Sequence, residues 1–222
     1  MGRRTRATSS GVSLAKWRER RSDEKRRAIL DGARAVFLRS GFGGASMDAV
    51  AATSGVSKMT VYRHFKTKES LFAGLIRALC ERIVGDDLTF DMARPIEGVL
   101  REYAARTVET LFDPGTIELH RIVIAESRRF PALGRLFYRS GPEASIAGLV
   151  GYLRRLKRVG RLDVDDPQRA AEEFLDLLRG YPHLRLLLGV GPRPSRQQFA
   201  LRIDDAIARL LASGSTNQVR HK

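Results

Sequence analysis

The chain has one cysteine, Cys80, in 222 residues. A single thiol excludes an internal disulfide and any metal site built on cysteine pairs, and a reducing compartment is its natural setting. Long apolar runs are also missing. Stretches such as Ile122 to Ala125 and Leu186 to Leu188 fall far short of the roughly 20 residues that span a bilayer. The basic start, MGRRTRATSSGVSLAKWRER, lacks the apolar centre of a secretory signal. A cytoplasmic protein with no membrane partner is expected. No segment alternates convincingly with period two, which argues against a sheet. No His, Cys or carboxylate spacing suggests a metal, and no cofactor is expected. No nucleophile–base or paired-carboxylate arrangement supports an enzyme.

Acidic residues are scarce as well. Lys and Arg number 40 against 25 Asp and Glu, a formal charge of +15. The imbalance is uneven, because residues 1–70 hold 16 basic against 6 acidic side chains. That asymmetry favours a polyanion met by the N-terminal part, with a solvated basic surface as the alternative. Hydrophobic residues make up 43% of the chain, enough to build a packed core.

What is present is helical pattern. Residues 1–21 read as a flexible basic arm, in which Arg3, Arg4 and Arg6 could enter a minor groove or simply trail in solvent, with an early helix start at Leu14 and Trp17 as the alternative for its second half. Ser22 suits an N-cap, and Ile29, Ala33, Val36 and Phe37 share one face up to Ser40-Gly41. A connecting helix is expected from Lys68 to about Ile83. Further helices follow at about 95–112, 116–128, 131–139, 142–159, 166–189 and 195–213, punctuated by Asp, Pro and Gly. Residues 214–222 read as a flexible tail.

The segment from Ser46 to Phe65 is the most specific. It reads as a short helix capped by Ser46, a turn at Ser54-Gly55-Val56, and a second short helix capped by Ser57. This is the layout of a helix-turn-helix, whose second helix enters the DNA major groove. At about 100° per residue, Val61 and Phe65 fall together as an anchor, while Met59 and Arg63 point away. Thr60 lies close to them, Tyr62 lies at the edge, and Lys58 and His64 sit at the two ends. Arg63 or Lys58 could donate to guanine, and Met59 and the Thr60 methyl could meet a thymine methyl. Tyr62, Lys68 and Ser46 suit phosphates, which position a domain without reading sequence. Ala51 and Gly55 are small where two helices must approach. The alternatives are an ordinary helical pair with a solvated face, or a nucleoid binder with little sequence preference.

Residues 29–75 resemble the DNA-binding domain of the TetR family of transcriptional regulators. The resemblance rests on Gly41-Phe42, on Ser46-Met47-Asp48-Ala49-Val50-Ala51 and on Gly55-Val56-Ser57-Lys58. It continues through Thr60-Val61-Tyr62-Arg63-His64-Phe65 and Lys68-Glu69-Ser70-Leu71-Phe72. It implies that Lys58, Met59, Thr60, Tyr62, Arg63, His64 and Lys68 face DNA, with Ser46 and Ser57 beside them. Met59 departs from the glycine or proline frequent at that position. The resemblance further implies an all-α chain: a helix-turn-helix domain over 22–83, and a C-terminal helical bundle over 84–213 that dimerises and holds a small effector. The run Glu118 to Glu126, with Phe130-Pro131 and Phe137-Tyr138, resembles the AefR-like branch. The function so implied is a homodimeric repressor released from a double-stranded, pseudo-palindromic operator by a small molecule.

Two apolar stripes could build the dimer. One holds Phe174, Leu177, Leu178, Tyr181, Leu184 and Leu188; the other holds Phe199, Ile203, Ile207 and Leu210. An internal core is the alternative use of both. Tyr103, Phe112, His120, Phe137, Tyr138 and Tyr152 are candidate walls of an effector pocket. Arg121 and Glu126, in a greasy helix, could pair with neighbours or with a polar ligand.

Overall fold

The structure, a computed structural model, describes residues 10–84 and 90–213. Ten helices form among the described residues, and no strand does. The all-α expectation therefore holds. Arg3, Arg4, Arg6 and the expected tail lie outside the described residues.

The chain divides into two compact units, one ending at Phe72 and the other beginning at Ala73. In the first, α1 runs Ser10–Gly44, with a break at Gly41, where φ is 66°. The helix therefore starts well before Ser22, which lies inside it. Residues 10–21, read above as part of an arm, are helical. Ala15, Lys16, Arg18, Glu19 and Arg20 are good helix formers, and the Arg21 guanidinium lies 4.8 Å from the centre of the Trp17 ring. α2 (Met47–Ser54) and α3 (Lys58–His64) complete the motif, and α4 (Lys68–Val84) follows. Thr67 and Ser70 cap the start of α4 reciprocally. Each hydroxyl oxygen accepts from the other's backbone N–H at 3.1 Å.

The core of this unit takes in Ile29, Ala33, Val36, Phe37, Val50, Val61, Phe65 and Leu71. Phe37, Phe42 and Phe72 form an aromatic triangle with centroids 5.2–5.9 Å apart. The glycine of the turn is there for its backbone. Gly55 sits at φ 65° with open space around it, so the close approach expected at Gly55 is not made. The tight contact is at Gly32, where any side chain would strike Ser54.

The second unit contains the rest of α4, then α5 (Ile96–Leu111), α6 (Pro114–Glu126) and α7 (Pro131–Ser140). α8 (Pro142–Arg158), α9 (Pro167–Leu187) and α10 (Arg196–Ser213) follow. Pro114, Pro131, Pro142 and Pro167 each open a helix, where a missing N–H costs nothing. Helices α5, α8, α9 and α10 pack around Leu100, Tyr103, Tyr152, Leu153, Phe174, Leu178, Ile203 and Ile207. α9 is broken inside: Gly180 has φ 47° and Pro182 follows. Among the described residues no helix is long and apolar enough to cross a membrane.

Candidate nucleic-acid interface and ligand cavity

The helix-turn-helix is fixed by local bonds. The Ser46 side chain accepts from the Ala49 N–H at 3.1 Å, and that of Ser57 accepts from the Thr60 N–H at 3.2 Å. The Ser57 and Thr60 hydroxyls lie 2.9 Å apart. Val61 is fully buried and Phe65 nearly so, while Met59 is 78% exposed. Lys58, Tyr62 and Arg63 are exposed as well, and Thr60 is half-buried. α3 thus holds on by a narrow anchor and presents cationic, aromatic and thioether groups outward, which suits a groove.

Three side chains assigned to DNA have other engagements. The Lys58 ammonium pairs with Asp48 on α2 at 2.6 Å, with both partners exposed. Such a pair is weak in water and can exchange for a phosphate or base. Lys68 is half-buried, and its Nζ donates to the carbonyls of Gly43 and Ala45 at 3.3 and 3.1 Å, 4.7 Å from the Phe42 ring centre. It satisfies carbonyls at the end of α1, a structural task in place of the phosphate contact expected of it. His64 is half-buried beside Phe65, and its Nε2 is enclosed with no partner among the described residues. Burial lowers its pKa, with Arg63 and Arg26 adding to the effect. His64 is therefore neutral near pH 7 and is not an outward cation.

The second unit holds a partly open cavity of about 640 Å³, within the range that takes small ligands. Its apolar wall includes Ile76, Leu79 and Ile83 of α4, Leu119 and Val123 of α6, Phe137 of α7 and Leu175 of α9. Polar groups come from Thr107, Thr110, Thr116, His120, Ser145, Glu172, Asp176, Arg179 and His183. His120 Nδ1 lies 3.2 Å from His183 Nε2. The His120 ring meets Phe137 edge to face at 5.0 Å, and the His183 ring meets Phe112 likewise at 5.6 Å. Burial is the main cause that lowers His120 to about 3 and His183 to about 4; His183 and then Arg179 add to the effect on His120, and Arg179 adds to that on His183. Both rings are neutral near pH 7, so one donates and the other accepts.

Of the candidate pocket residues, His120, Phe137 and Tyr138 line the cavity. Tyr103, Phe112 and Tyr152 do not; they are sealed in the helical core. Tyr103 donates its hydroxyl to the Ser145 carbonyl at 3.2 Å, and Phe112 backs His183. These large aromatics fill the centre where α5, α8, α9 and α10 converge, whereas the cavity lies toward α4, α6 and α7. Arg121 is a clamp: its Nε donates to the Leu187 carbonyl at 2.9 Å, its Nη2 to that of Leu186, and Glu118 pairs with it. The polar face of α9 was missed, although its spacing was visible. Glu172, Asp176, Arg179 and His183 recur at helical intervals beside the apolar stripe that drew the reading.

The dimer stripes also split. Phe174, Leu178, Ile203, Ile207 and Leu210 are buried in the chain's own core, so a partner cannot touch them. Leu177 and Phe199 are partly buried against the same core. Tyr181, Leu184 and Leu188 are exposed, Tyr181 at 82%, and Leu201 joins them. The break at Gly180 explains the change, because it shifts the inward face of α9 from Phe174 and Leu178 to His183.

A family model described as the tetR family of bacterial regulatory proteins matches residues 29–75. A second, described as the C-terminal domain of AefR-like transcriptional repressors, matches residues 98–213. The chain is 28% identical over 169 residues to the HTH-type transcriptional repressor Rv1474c of Mycobacterium tuberculosis, covering 76% of this chain and 86% of that protein. A TetR-family regulator from Mesorhizobium loti has a similar structure, with a TM-score of 0.70 and 30% identity, over 86% of this chain and 97% of that one. The flavonoid-responsive regulator FrrA gives a TM-score of 0.67 and 36% identity over the same shares of the two chains.

Proposed function

The chain belongs to the TetR family of bacterial transcriptional regulators, and we propose that it is a cytoplasmic, homodimeric repressor released from a pseudo-palindromic operator by a small molecule. The observation that carries this reading is the exposed face of α3, where Lys58, Met59, Tyr62 and Arg63 project from a helix anchored by Val61 and Phe65. One short helix reads only a few base pairs, so useful affinity asks for two copies about one DNA turn apart. Tyr181, Leu184, Leu188 and Leu201 are exposed apolar side chains open to that pairing. Arg63 is the leading base-reading candidate, and Ser46, Ser57, Thr60 and Tyr62 accompany it.

The cavity of the second unit is the effector site. α4 carries Leu71 and Phe72 in the core of the first unit and Ile76, Leu79 and Ile83 in the cavity wall, so one helix belongs to both. An effector shifts the balance only through different affinities for the DNA-competent and DNA-released forms. Kinship with FrrA, described as flavonoid-responsive, makes planar aromatic compounds the first scaffold to try. The test is fluorescence anisotropy on DNA from the regulated promoter, with and without compounds that bind the cavity. Operator affinity that falls as a compound fills the cavity supports the scheme. A compound that binds tightly there and leaves operator affinity unchanged rules it out. Affinity that drops steeply with salt and ignores sequence would favour a nucleoid binder instead.

A further inference from the structure

The cavity wall holds a cation that closes on no carboxylate among the described residues. Arg179 is half-buried, and its Nε is enclosed with no hydrogen-bond partner among the described residues. It also makes no ion pair among them. An enclosed donor left unmet is costly, and a charged one more so. Asp176 and Glu172, on the same side of α9, are exposed, so water screens them and neither closes on the guanidinium. Beside Arg179 stand His120 and His183, which polarise each other at 3.2 Å.

We infer that the ligand of this cavity carries an anionic oxygen group, a carboxylate, sulfonate or ionised phenol, which pairs with Arg179 while a neutral body lies against Leu119, Val123 and Phe137. This rests on reading the cavity as the effector site. An oxyanion supplies the acceptor that the Arg179 Nε lacks, and a planar one meets the guanidinium fork through two parallel bonds. The His120–His183 pair keeps one further N–H or lone pair for a hydroxyl or carbonyl of the ligand. The neutral body of the ligand, packed on the apolar wall, displaces water from the guanidinium and strengthens the charge pairing.

Two fluorescent probes test this on the full-length protein. 1-Anilinonaphthalene-8-sulfonate and N-phenyl-1-naphthylamine share one aromatic body, and only the first bears an anion. The fluorescence that Ile124→Trp removes, by filling the cavity mouth, is taken as binding within the cavity. Arg179→Gln should lower the ratio of sulfonate to neutral affinity about tenfold or more. A ratio unchanged within about twofold overturns the anion assignment and leaves the cavity reading intact. In the wild-type chain the Arg179 Nε–H resonance should move on adding the sulfonate and stay put with the neutral amine. A resonance that the sulfonate does not move also overturns the assignment. If neither probe enters the cavity, the effector-site reading falls and the inference with it.

Discussion

The two units use polar side chains in opposite ways. In the first, Arg63, Met59 and Tyr62 stand outside a small core and face solvent. In the second, His120, His183, Arg179 and Thr110 line the cavity. An outward face needs only a secure anchor, and Val61 and Phe65 with two serine caps supply it. An inward face needs several helices to stop short of filling the space between them. The first arrangement depends on residues close in sequence, and the second on distant ones: His120 and His183 are 63 positions apart.

The sharpest way to break this contrast is to exchange core and surface on α9. Phe174→Ala removes a buried ring and should cost about 3–5 kcal/mol of stability, read as a large fall in melting temperature. Tyr181→Glu with Leu188→Glu lies on the exposed face and should halve the mass by light scattering at micromolar concentration while the helical fold persists. A dimer that survives this double change would place the interface elsewhere.

Acid should separate the units next. His120 and His183 have folded pKa values of about 3 and about 4, below the unfolded value near 6.5. Between those limits the unfolded chain takes up protons that the native chain refuses. The stabilising contribution is complete above about pH 6.5 and is lost as pH falls toward 4 for His183 and toward 3 for His120, by up to about 1.4 kcal/mol per pH unit for each ring. Melting temperature measured across this window should drop, and His120→Gln with His183→Gln should flatten the slope. An unchanged slope would assign the acid sensitivity to other groups.

Smaller effects test the first unit. Arg63→Ala should cost about 1–3 kcal/mol of operator affinity and relax discrimination at one base pair. Equal loss on every sequence would make Arg63 a phosphate contact. Lys68→Met should lower stability by about 1 kcal/mol through the lost bond to the Ala45 carbonyl and leave the salt dependence of DNA binding unchanged. A salt slope reduced by about 0.9 would instead return Lys68 to a phosphate.

What was legible in the sequence follows the same division. The caps Ser46 and Ser57, the turn glycine and the Val61–Phe65 anchor obey short-range rules, and the structure repeats them. The helices of the second unit were legible too, because Asp113 and Asp166 cap and the prolines open them. The roles of individual aromatics were not. Tyr103 and Tyr152 share residue type with Tyr138 of the cavity wall, and only the packing of distant helices seals them in the core. The break in α9 has a signal in the sequence, Gly180 followed by Pro182, whereas an unbroken helix over 166–189 places Phe174 and Tyr181 on one face. Lys68 looked like a surface cation, since nothing local reveals that the end of α1 returns beneath it.

The most direct test of α3 as a sequence reader is to incubate the purified protein with fragmented genomic DNA of its own organism and sequence what it retains. The expected result is strong enrichment of a few sites that share an inverted repeat, with that enrichment eroded by Arg63→Ala. Even retention across the genome, the same for both proteins, would contradict it.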